Sequence, residues 1–170
     1  MHEEELINRI RQGDEAAAEE LIHRWYPRIF RYCRTRCGNR ETAEDLTQET
    51  FLRLFRYLSS YRSDGNFKAY LFSIANRLCI KEGKNPPLYP LEHEERLTGP
   101  HDEIHRMEDR DEIHSLLETL PPEQREAIFL RFGERLTYQE IAEATDCNMR
   151  TAQGRVRCAL KNMRKKIRHE

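Results

Sequence analysis

The sequence predicts an all-α protein built from two small helical domains joined by a flexible linker. Charged residues make up 35% of its 170 residues and only seven are glycine, a composition that favours helices over sheets. Apolar residues recur at three- and four-residue spacing in two long blocks, which is the period of an amphipathic helix. Between the blocks lies an acidic, proline-containing stretch without periodicity, where a connector is expected.

The first block predicts consecutive helices over residues 3–82. Gly13 separates the first helix from a second, and Pro27 allows the second to stop and restart. Gly38 then ends it, and Thr42 is expected to cap the third helix. In the last two helices, the positions expected to pack inward are Ala43, Leu46, Phe51, Leu54, Phe55, Leu58, Phe67, Leu71, Ile74, Ala75 and Leu78.

The second block predicts a helix that Gly133 ends, followed by a helix-turn-helix at 137–156, the layout of a DNA-binding module. Thr137 has the spacing of a capping box with Glu140. The turn falls at residues 145–147, and Asn148 is expected to cap the second helix of the module. Its predicted inward positions are Met149, Ala152, Val156, Ala159 and Leu160.

Charge is segregated along a chain whose net charge is only −1. Residues 23–81 hold twelve Lys or Arg against five acids, whereas residues 82–112 hold four against ten. Residues 147–169 then contain eight Lys or Arg and no acid. Two cationic blocks around an acidic one indicate two DNA-facing domains and a connector, since clustered cations bind polyanions. A solvated amphipathic helix is the alternative for the last block.

The length of the apolar runs and the spacing of cysteine and histidine predict the cellular compartment and whether a metal is bound. No apolar run approaches the length that crosses a bilayer, and the first residues lack a secretion signal, so we expect a cytoplasmic protein without membrane insertion. Five cysteines without a CxxC pair fit a reduced setting. Cys33 and Cys37, like His101 and His105, have a one-turn spacing that also occurs in metal or redox sites. Cysteine is commonly a buried hydrophobe, and no metal or cofactor is predicted.

Four motifs follow one another along the chain: AEDLTQETFLRLFRYL at 43–58, FKAYLFSIANRLCI at 67–80, LPPEQREAIFLRF at 120–132 and the helix-turn-helix. Together they resemble the extracytoplasmic-function group of bacterial RNA polymerase sigma factors, a part of the sigma-70 family with only conserved regions 2 and 4. The resemblance implies a region 2 domain over 1–82, a linker over 83–110 and a region 4 domain over 111–170.

This resemblance implies that the acidic third helix binds the β′ clamp helices of core RNA polymerase, while region 4 meets the β flap. The implied contacts are Asp45, Gln48, Glu49 and Leu52. Acids at three- and four-residue spacing form one face of a helix, as a contact with basic clamp residues requires. The alternative is a set of surface acids that pair with Arg53 or Arg56.

The segment 61–77 resembles the part of these sigma factors that captures the melted −10 element of the promoter. The implied contacts are Tyr61, Arg62, Asn66, Phe67, Lys68, Tyr70, Asn76 and Arg77. Unpaired bases stack on aromatic rings, while cations hold the backbone. Tyr70 stands where the family usually has Trp, and a core role remains open for Phe67 and Tyr70.

The second helix of the module is expected to enter the major groove at the −35 element of the promoter. Its implied contacts are Arg150, Thr151, Gln153, Arg155 and Arg157. Arginine pairs with guanine edges and glutamine with adenine edges in that groove. Asp146 replaces the glycine usual at the turn, and Asp can adopt the left-handed conformation that a tight turn requires.

The resemblance therefore implies a sigma factor that directs core polymerase to specific promoters, with an anti-sigma factor as a further partner. A helix-turn-helix repressor or response-regulator-like transcription factor is the alternative, although that function has no use for the aromatic and cationic cluster at 61–77. An enzyme is not expected, because Asp45 and Glu49 have neither a nearby His nor a Gly-rich loop.

Overall fold

The structure is a computed structural model that describes residues 2–37, 39–62, 66–82, 112–113 and 115–169. Within these ranges all regular structure is helical, which confirms the predicted all-α class. The predicted linker at 83–110 lies outside the described residues. Among the described helices, none combines the length and the apolar character that crossing a bilayer demands.

Four helices form the first unit of the fold. They are α1 (Glu3–Arg11), α2 (Glu15–Arg36), α3 (Arg40–Tyr57) and α4 (Phe67–Lys81). They pack around Trp25, which has no exposed surface and meets the rings of Phe67 and Phe72 edge-on, with centroids 5.7 and 6.4 Å away. The positions predicted to pack inward in α3 and α4 are buried, apart from the half-buried Phe55.

Two predictions for helix ends in this unit are wrong. α2 is one continuous helix through Pro27, because Trp25 and Ile29 are fully buried on either side and Pro27 itself is exposed. The backbone bond lost at Pro27 therefore lies on the solvent side of the helix. The cap of α3 is Asn39 and not Thr42: its side-chain oxygen accepts a hydrogen bond from the Thr42 backbone N–H at 2.7 Å.

The second unit contains the predicted helix-turn-helix. Its helices are α5 (Pro122–Ile128), continued by a π-helical turn (Phe129–Gly133), then α6 (Tyr138–Ala144) and α7 (Met149–His169). Thr137 and Glu140 form the predicted capping box, and Asn148 accepts a hydrogen bond from the Thr151 N–H at 2.7 Å. Asp146 has φ of 54°, the left-handed conformation expected at the turn. Met149 was expected to be buried but is 50% exposed.

The two units share one hydrophobic core. α4 of the first unit packs against α6 of the second, and Ile141, Ala142 and Ala144 of α6 join the cluster built around Trp25. A smaller cluster holds α5 against α7 through Ala127, Val156 and their neighbours. The separate units expected from the sequence are therefore in direct contact with each other in this structure.

Candidate nucleic-acid interfaces

An open pocket lies beside the start of α4. Its lining from the first unit includes Tyr61, Arg62, Asn66, Tyr70 and Arg77. We call it the tyrosine pocket, because the ring centroids of Tyr61 and Tyr70 lie 4.7 Å apart, with the rings tilted by 32°. Burial raises the pKa of Tyr70, so its hydroxyl stays protonated at neutral pH. Half-buried rings beside exposed guanidinium groups suit an unpaired nucleic-acid strand.

Arg11 and Phe67 hold Tyr61 in place. Arg11 of α1 donates hydrogen bonds to the carbonyl of Leu58 at 3.0 and 3.2 Å, and it also donates to the carbonyl of Tyr61. Phe67 lies edge-on to the Tyr61 ring at 6.0 Å. Arg11 was missed from the sequence because it is about fifty residues from its acceptors and has no motif of its own.

Two residues predicted at the melted strand lie in the core. Phe67 is 4% exposed and packs between Trp25 and Tyr61, so it supports the tyrosine pocket from below. Asn76 is 3% exposed, and its side-chain oxygen accepts hydrogen bonds from Tyr32 at 3.2 Å and Arg36 at 3.1 Å. Neither side chain is on the surface that a DNA strand would meet here. Lys68 is half-buried at the start of α4.

The second unit closes one side of the tyrosine pocket. Glu143 of α6 lines the pocket, and its carboxylate accepts a hydrogen bond from the Asn66 amide at 3.0 Å. The carboxylate takes up a hydrogen bond of the Asn66 amide. Its negative charge also repels the phosphates of a nucleic-acid strand that approaches the pocket. The pocket is thus capped by an acid in the arrangement that the structure shows.

The outer face of α3 carries the four residues predicted to contact polymerase. Asp45 and Gln48 are exposed, and Leu52 is 59% exposed although it is a large apolar side chain. Glu49 pairs with Arg53 at 2.8 Å, as the surface-pair alternative expected, and this hydrogen bond lowers the pKa of Glu49. Single exposed leucines are common on protein surfaces, so this face is accessible to a partner, and its assignment to polymerase comes from the family resemblance.

α7 presents a row of cations opposite its buried positions. Ala152, Val156 and Ala159 are buried, whereas Arg150 and Arg157 on the other side are exposed. Thr151 and Gln153 are partly exposed on the flanks of the helix. Arg155 turns toward α5 and lies 3.9 Å from Glu123, with 24% of its side chain exposed. The row on α7 is therefore available to duplex DNA, with Arg157 better placed than Arg155.

Two acids of the second unit make ion pairs with α2 of the first. Glu134 is 3% exposed; its carboxylate accepts a hydrogen bond from Arg28 at 2.5 Å and lies 3.6 Å from Arg31. Glu126 accepts hydrogen bonds from the Tyr32 hydroxyl and from Arg36. Burial, with Glu126 nearby, raises the pKa of Tyr32 well above its ordinary value. These pairs join residues about a hundred positions apart, so no sequence spacing pointed to them.

The cysteines first considered for metal or redox chemistry are packed inside the first unit. Cys33, Cys37 and Cys79 are buried as free thiols; the Cys37 thiol donates to the Cys33 carbonyl at 2.6 Å, and Cys79 lies beside both other thiols. The bond to Cys79 and burial raise the pKa of the Cys37 thiol, which keeps it in the unreactive protonated form. Across the described residues, no group of three His, Cys, Asp or Glu is arranged to hold a metal ion. His101 and His105 lie outside the described residues.

Comparison with known families divides the chain where the fold does. Residues 21–84 match the family model for sigma-70 region 2, and residues 110–163 match the model for sigma-70 region 4. The tyrosine pocket and the outer face of α3 lie within the first match, and α6 with most of α7 lies within the second. A region 2 match is specific to sigma factors, so these findings do not favour a helix-turn-helix repressor.

Individual relatives give the same result. The chain is 26% identical over 166 residues to the ECF RNA polymerase sigma-E factor of Escherichia coli K12, covering 89% of this chain and 86% of that protein. The sigma-E factor of Haemophilus influenzae is 26% identical over 177 residues, which cover 95% of this chain and 93% of that protein.

Two solved structures share the fold. They are CnrH in complex with the cytosolic domain of CnrY, and the Bartonella quintana sigma factor RpoE in complex with the anti-sigma factor NepR. CnrH has a TM-score of 0.69 at 19% identity and covers 97% of this chain and 96% of its own. RpoE has a TM-score of 0.67 at 20% identity and covers 88% of this chain and 96% of its own.

Proposed function

Because this chain belongs to the extracytoplasmic-function group of RNA polymerase sigma factors, we propose that its two helical units bring core polymerase to a promoter by holding two DNA elements together. Residues 1–82 act as the region 2 domain, 83–110 as the linker and 111–170 as the region 4 domain. The observation that carries the proposal is the presence, in one chain, of an aromatic pocket suited to unpaired bases and a cationic helix face suited to duplex.

The outer face of α3 is the proposed docking surface for the β′ clamp helices of polymerase. Leu52 supplies the apolar contact, since an exposed leucine loses solvent contact when a partner covers it. Asp45 and Gln48 are exposed beside it, and Glu49 is held in its charged form by Arg53. This arrangement matches the usual anatomy of an interface, an apolar centre with charged groups around it. The β flap is the proposed partner of region 4.

The tyrosine pocket is the proposed site for the melted −10 element. A base that leaves the duplex exposes its π-face, and stacking on a ring stabilises it by about 1–3 kcal/mol. Tyr61 and Tyr70 provide two such rings, and the exposed Arg62 and Arg77 are near enough to neutralise phosphates. Lys68 adds a cation at the start of α4. Phe67 supports the pocket from the core, Asn76 is bound to Tyr32 and Arg36 in the core, and neither contacts DNA.

The cationic row of α7 is the proposed contact with the −35 element. Arg150 and Arg157 lie two turns apart on the exposed side of the helix, where they reach base edges or phosphates in the major groove. Thr151, Gln153 and Arg155 make flanking contacts. Binding through this row depends on salt, because each phosphate neutralised by Arg or Lys releases condensed counterions.

Strand capture requires that the two units separate. We call the arrangement in the structure, with the two units in contact, the closed arrangement. In it Glu143 accepts a hydrogen bond from Asn66 and lines the pocket that a phosphate backbone would enter. Separation breaks the ion pairs of Glu126 and Glu134 and exposes apolar surface of α4 and α6. The free energy for this step comes from binding polymerase and promoter. Sigma factors are generally non-enzymatic, and the proposal assigns no bond-breaking step to this chain.

Family membership also suggests an anti-sigma factor as a partner, and the cytoplasm, where polymerase acts, as the place of function. An anti-sigma factor that stabilises contact between the two units would keep the tyrosine pocket capped.

In vitro transcription tests the proposed function. The purified full chain is added to core polymerase with a genomic DNA library, and RNA start sites are mapped. We expect a limited set of start sites that core polymerase alone does not use, with shared sequence at two upstream positions. A chain that binds polymerase yet yields only the start sites of core polymerase alone would refute the proposal, and a chain that only represses transcription would support the repressor alternative.

A further inference from the structure

Gly154 is a glycine in the middle of α7 that the fold itself does not require. Glycine in a helix interior is less favourable than alanine, because it loses more backbone entropy on folding. Its backbone does not have positive φ, and a methyl group built there would meet no atom within 4 Å beyond the nearby helix backbone. Neither turn geometry nor close packing within the chain therefore explains the absence of a side chain.

The position of Gly154 on the helix is informative. It lies two residues from both Ala152 and Val156, which are buried, and so it points away from the core. Its neighbours on the outer face, four residues before and three after, are the exposed Arg150 and Arg157. Gly154 is thus a gap between two cations in the row that we assign to the −35 element.

We propose that Gly154 is a specificity-determining residue of promoter binding, where the bare backbone of α7 lies directly against base edges in the major groove. The inference rests on the proposed function of α7. A helix with its side chains is about 10–12 Å across and the groove is about 12 Å wide, so a missing side chain decides how deeply the helix enters.

The spacing of the flanking cations sets the geometry of this contact. Seven residues of helix separate Arg150 from Arg157, a rise of about 10 Å, close to three base-pair steps. The two guanidinium groups therefore meet DNA on either side of a central one or two base pairs. Gly154 lies over these central pairs, and any side chain there pushes the helix outward and lengthens both arginine contacts.

The test compares holoenzymes on a promoter obtained with the unaltered protein. Duplexes with a randomised upstream element are selected by core polymerase carrying the unaltered full chain, and the selected promoter is then used to measure affinity. We expect Gly154→Ala to weaken promoter binding about tenfold and Gly154→Leu more strongly, with the lost preference concentrated at the central base pairs. Binding to core polymerase is expected to stay unchanged, and the melting temperature of free Gly154→Ala to stay equal or rise.

Gly133→Ala is the matched control, because it makes the same chemical change in the same unit but outside α7, where a methyl group has only ordinary contact with Phe129. It is expected to keep full promoter affinity. Promoter affinity of Gly154→Ala and Gly154→Leu within twofold of the unaltered protein would overturn the inference. If the unaltered holoenzyme selects no DNA sequence at all, the proposed function itself fails, so the two failures are distinguishable.

Discussion

The two proposed DNA surfaces of this protein differ in how accessible they are. The cationic row of α7 faces solvent, with Arg150 and Arg157 exposed, whereas the tyrosine pocket is capped by Glu143 from the other unit. On the proposed function, this arrangement leaves the surface for duplex DNA accessible and keeps the pocket for a single strand covered. We infer that the contact between the units orders the two events, with strand capture following separation.

The contact between the units combines apolar packing with buried charge. Ile141 and Ala142 of α6 are buried in the core shared with α4, and Glu134 is only 3% exposed. Removing one partner of a buried ion pair is costly because it leaves the other charge unpaired. Four sets of variants test the proposed surfaces and the contact between the units, in order of decreasing expected effect.

The largest effect is expected from losing both rings of the tyrosine pocket. Tyr61→Ala with Tyr70→Ala removes two stacking partners, each contributing about 1–3 kcal/mol per base, so open-complex formation should fall about a hundredfold or more. Duplex binding at the upstream element should not change. Potassium permanganate footprinting of the melted region measures the first and a gel-shift assay on duplex the second. Equal loss in both assays would show that the pocket does not act separately from α7.

Leu52→Ala should weaken binding to core polymerase about tenfold, because the side chain is 59% exposed and loses its apolar contact only in the complex. Asp45→Ala with Glu49→Ala should have an effect of similar size at low salt. Tyr57→Ala is the control, since Tyr57 is also exposed but lies on another face of α3. Fluorescence anisotropy with labelled core polymerase gives the affinities. Unchanged affinity in the Leu52 and Asp45/Glu49 variants would remove the outer face of α3 from the interface.

Arg157→Ala should weaken binding to the upstream element about tenfold, and Arg155→Ala by less. Arg157 is exposed on the cationic row, whereas Arg155 lies near Glu123 with 24% of its side chain exposed. Competition gel shifts with the selected promoter measure both variants, and core binding serves as the control. A larger loss for Arg155→Ala would mean that the −35 contact uses the flank of α7 toward α5.

Glu134→Gln should weaken the contact between the units, because it removes the negative charge of this side chain while it keeps its size and shape. The variant loses two ion pairs from a buried side chain, and we expect the free energy of unfolding to fall by about 2 kcal/mol. Binding of the free chain to a single-stranded oligonucleotide should rise severalfold, while duplex binding stays constant. Urea denaturation and fluorescence anisotropy measure these quantities, and unchanged single-strand affinity in a destabilised variant would argue against capping.

The features predicted from the sequence were those fixed by neighbouring residues. The capping box of Thr137 and Glu140, the cap at Asn148 and the left-handed Asp146 depend on a few adjacent positions, and all are confirmed. Pro27 shows where a local rule is overridden, because packing on both sides keeps α2 continuous. The burial of Leu71 and of most other predicted inward positions followed from helical periodicity, whereas Met149 is exposed.

What the sequence did not reveal depends on contacts between distant segments. Glu126 and Glu134 are ordinary acids in the sequence, and only the fold brings them onto α2. The resemblance implies a DNA contact for Asn76, yet its side chain bonds Tyr32 and Arg36 in the core. For Phe67 both a core position and a contact with DNA are expected from the sequence, and its burial one helical turn before Leu71 on the inward face of α4 confirms the core position.

The most direct test measures the distance between the two units during initiation. A donor and an acceptor dye are attached at His23→Cys in α2 and Lys166→Cys in α7, both exposed positions, with Cys158→Ser removing the exposed native thiol. Energy transfer should be high in the free chain and should fall when core polymerase and promoter are added, in step with strand opening. Transfer that stays high in a complex that is making RNA would contradict the proposal that the units separate before strand capture.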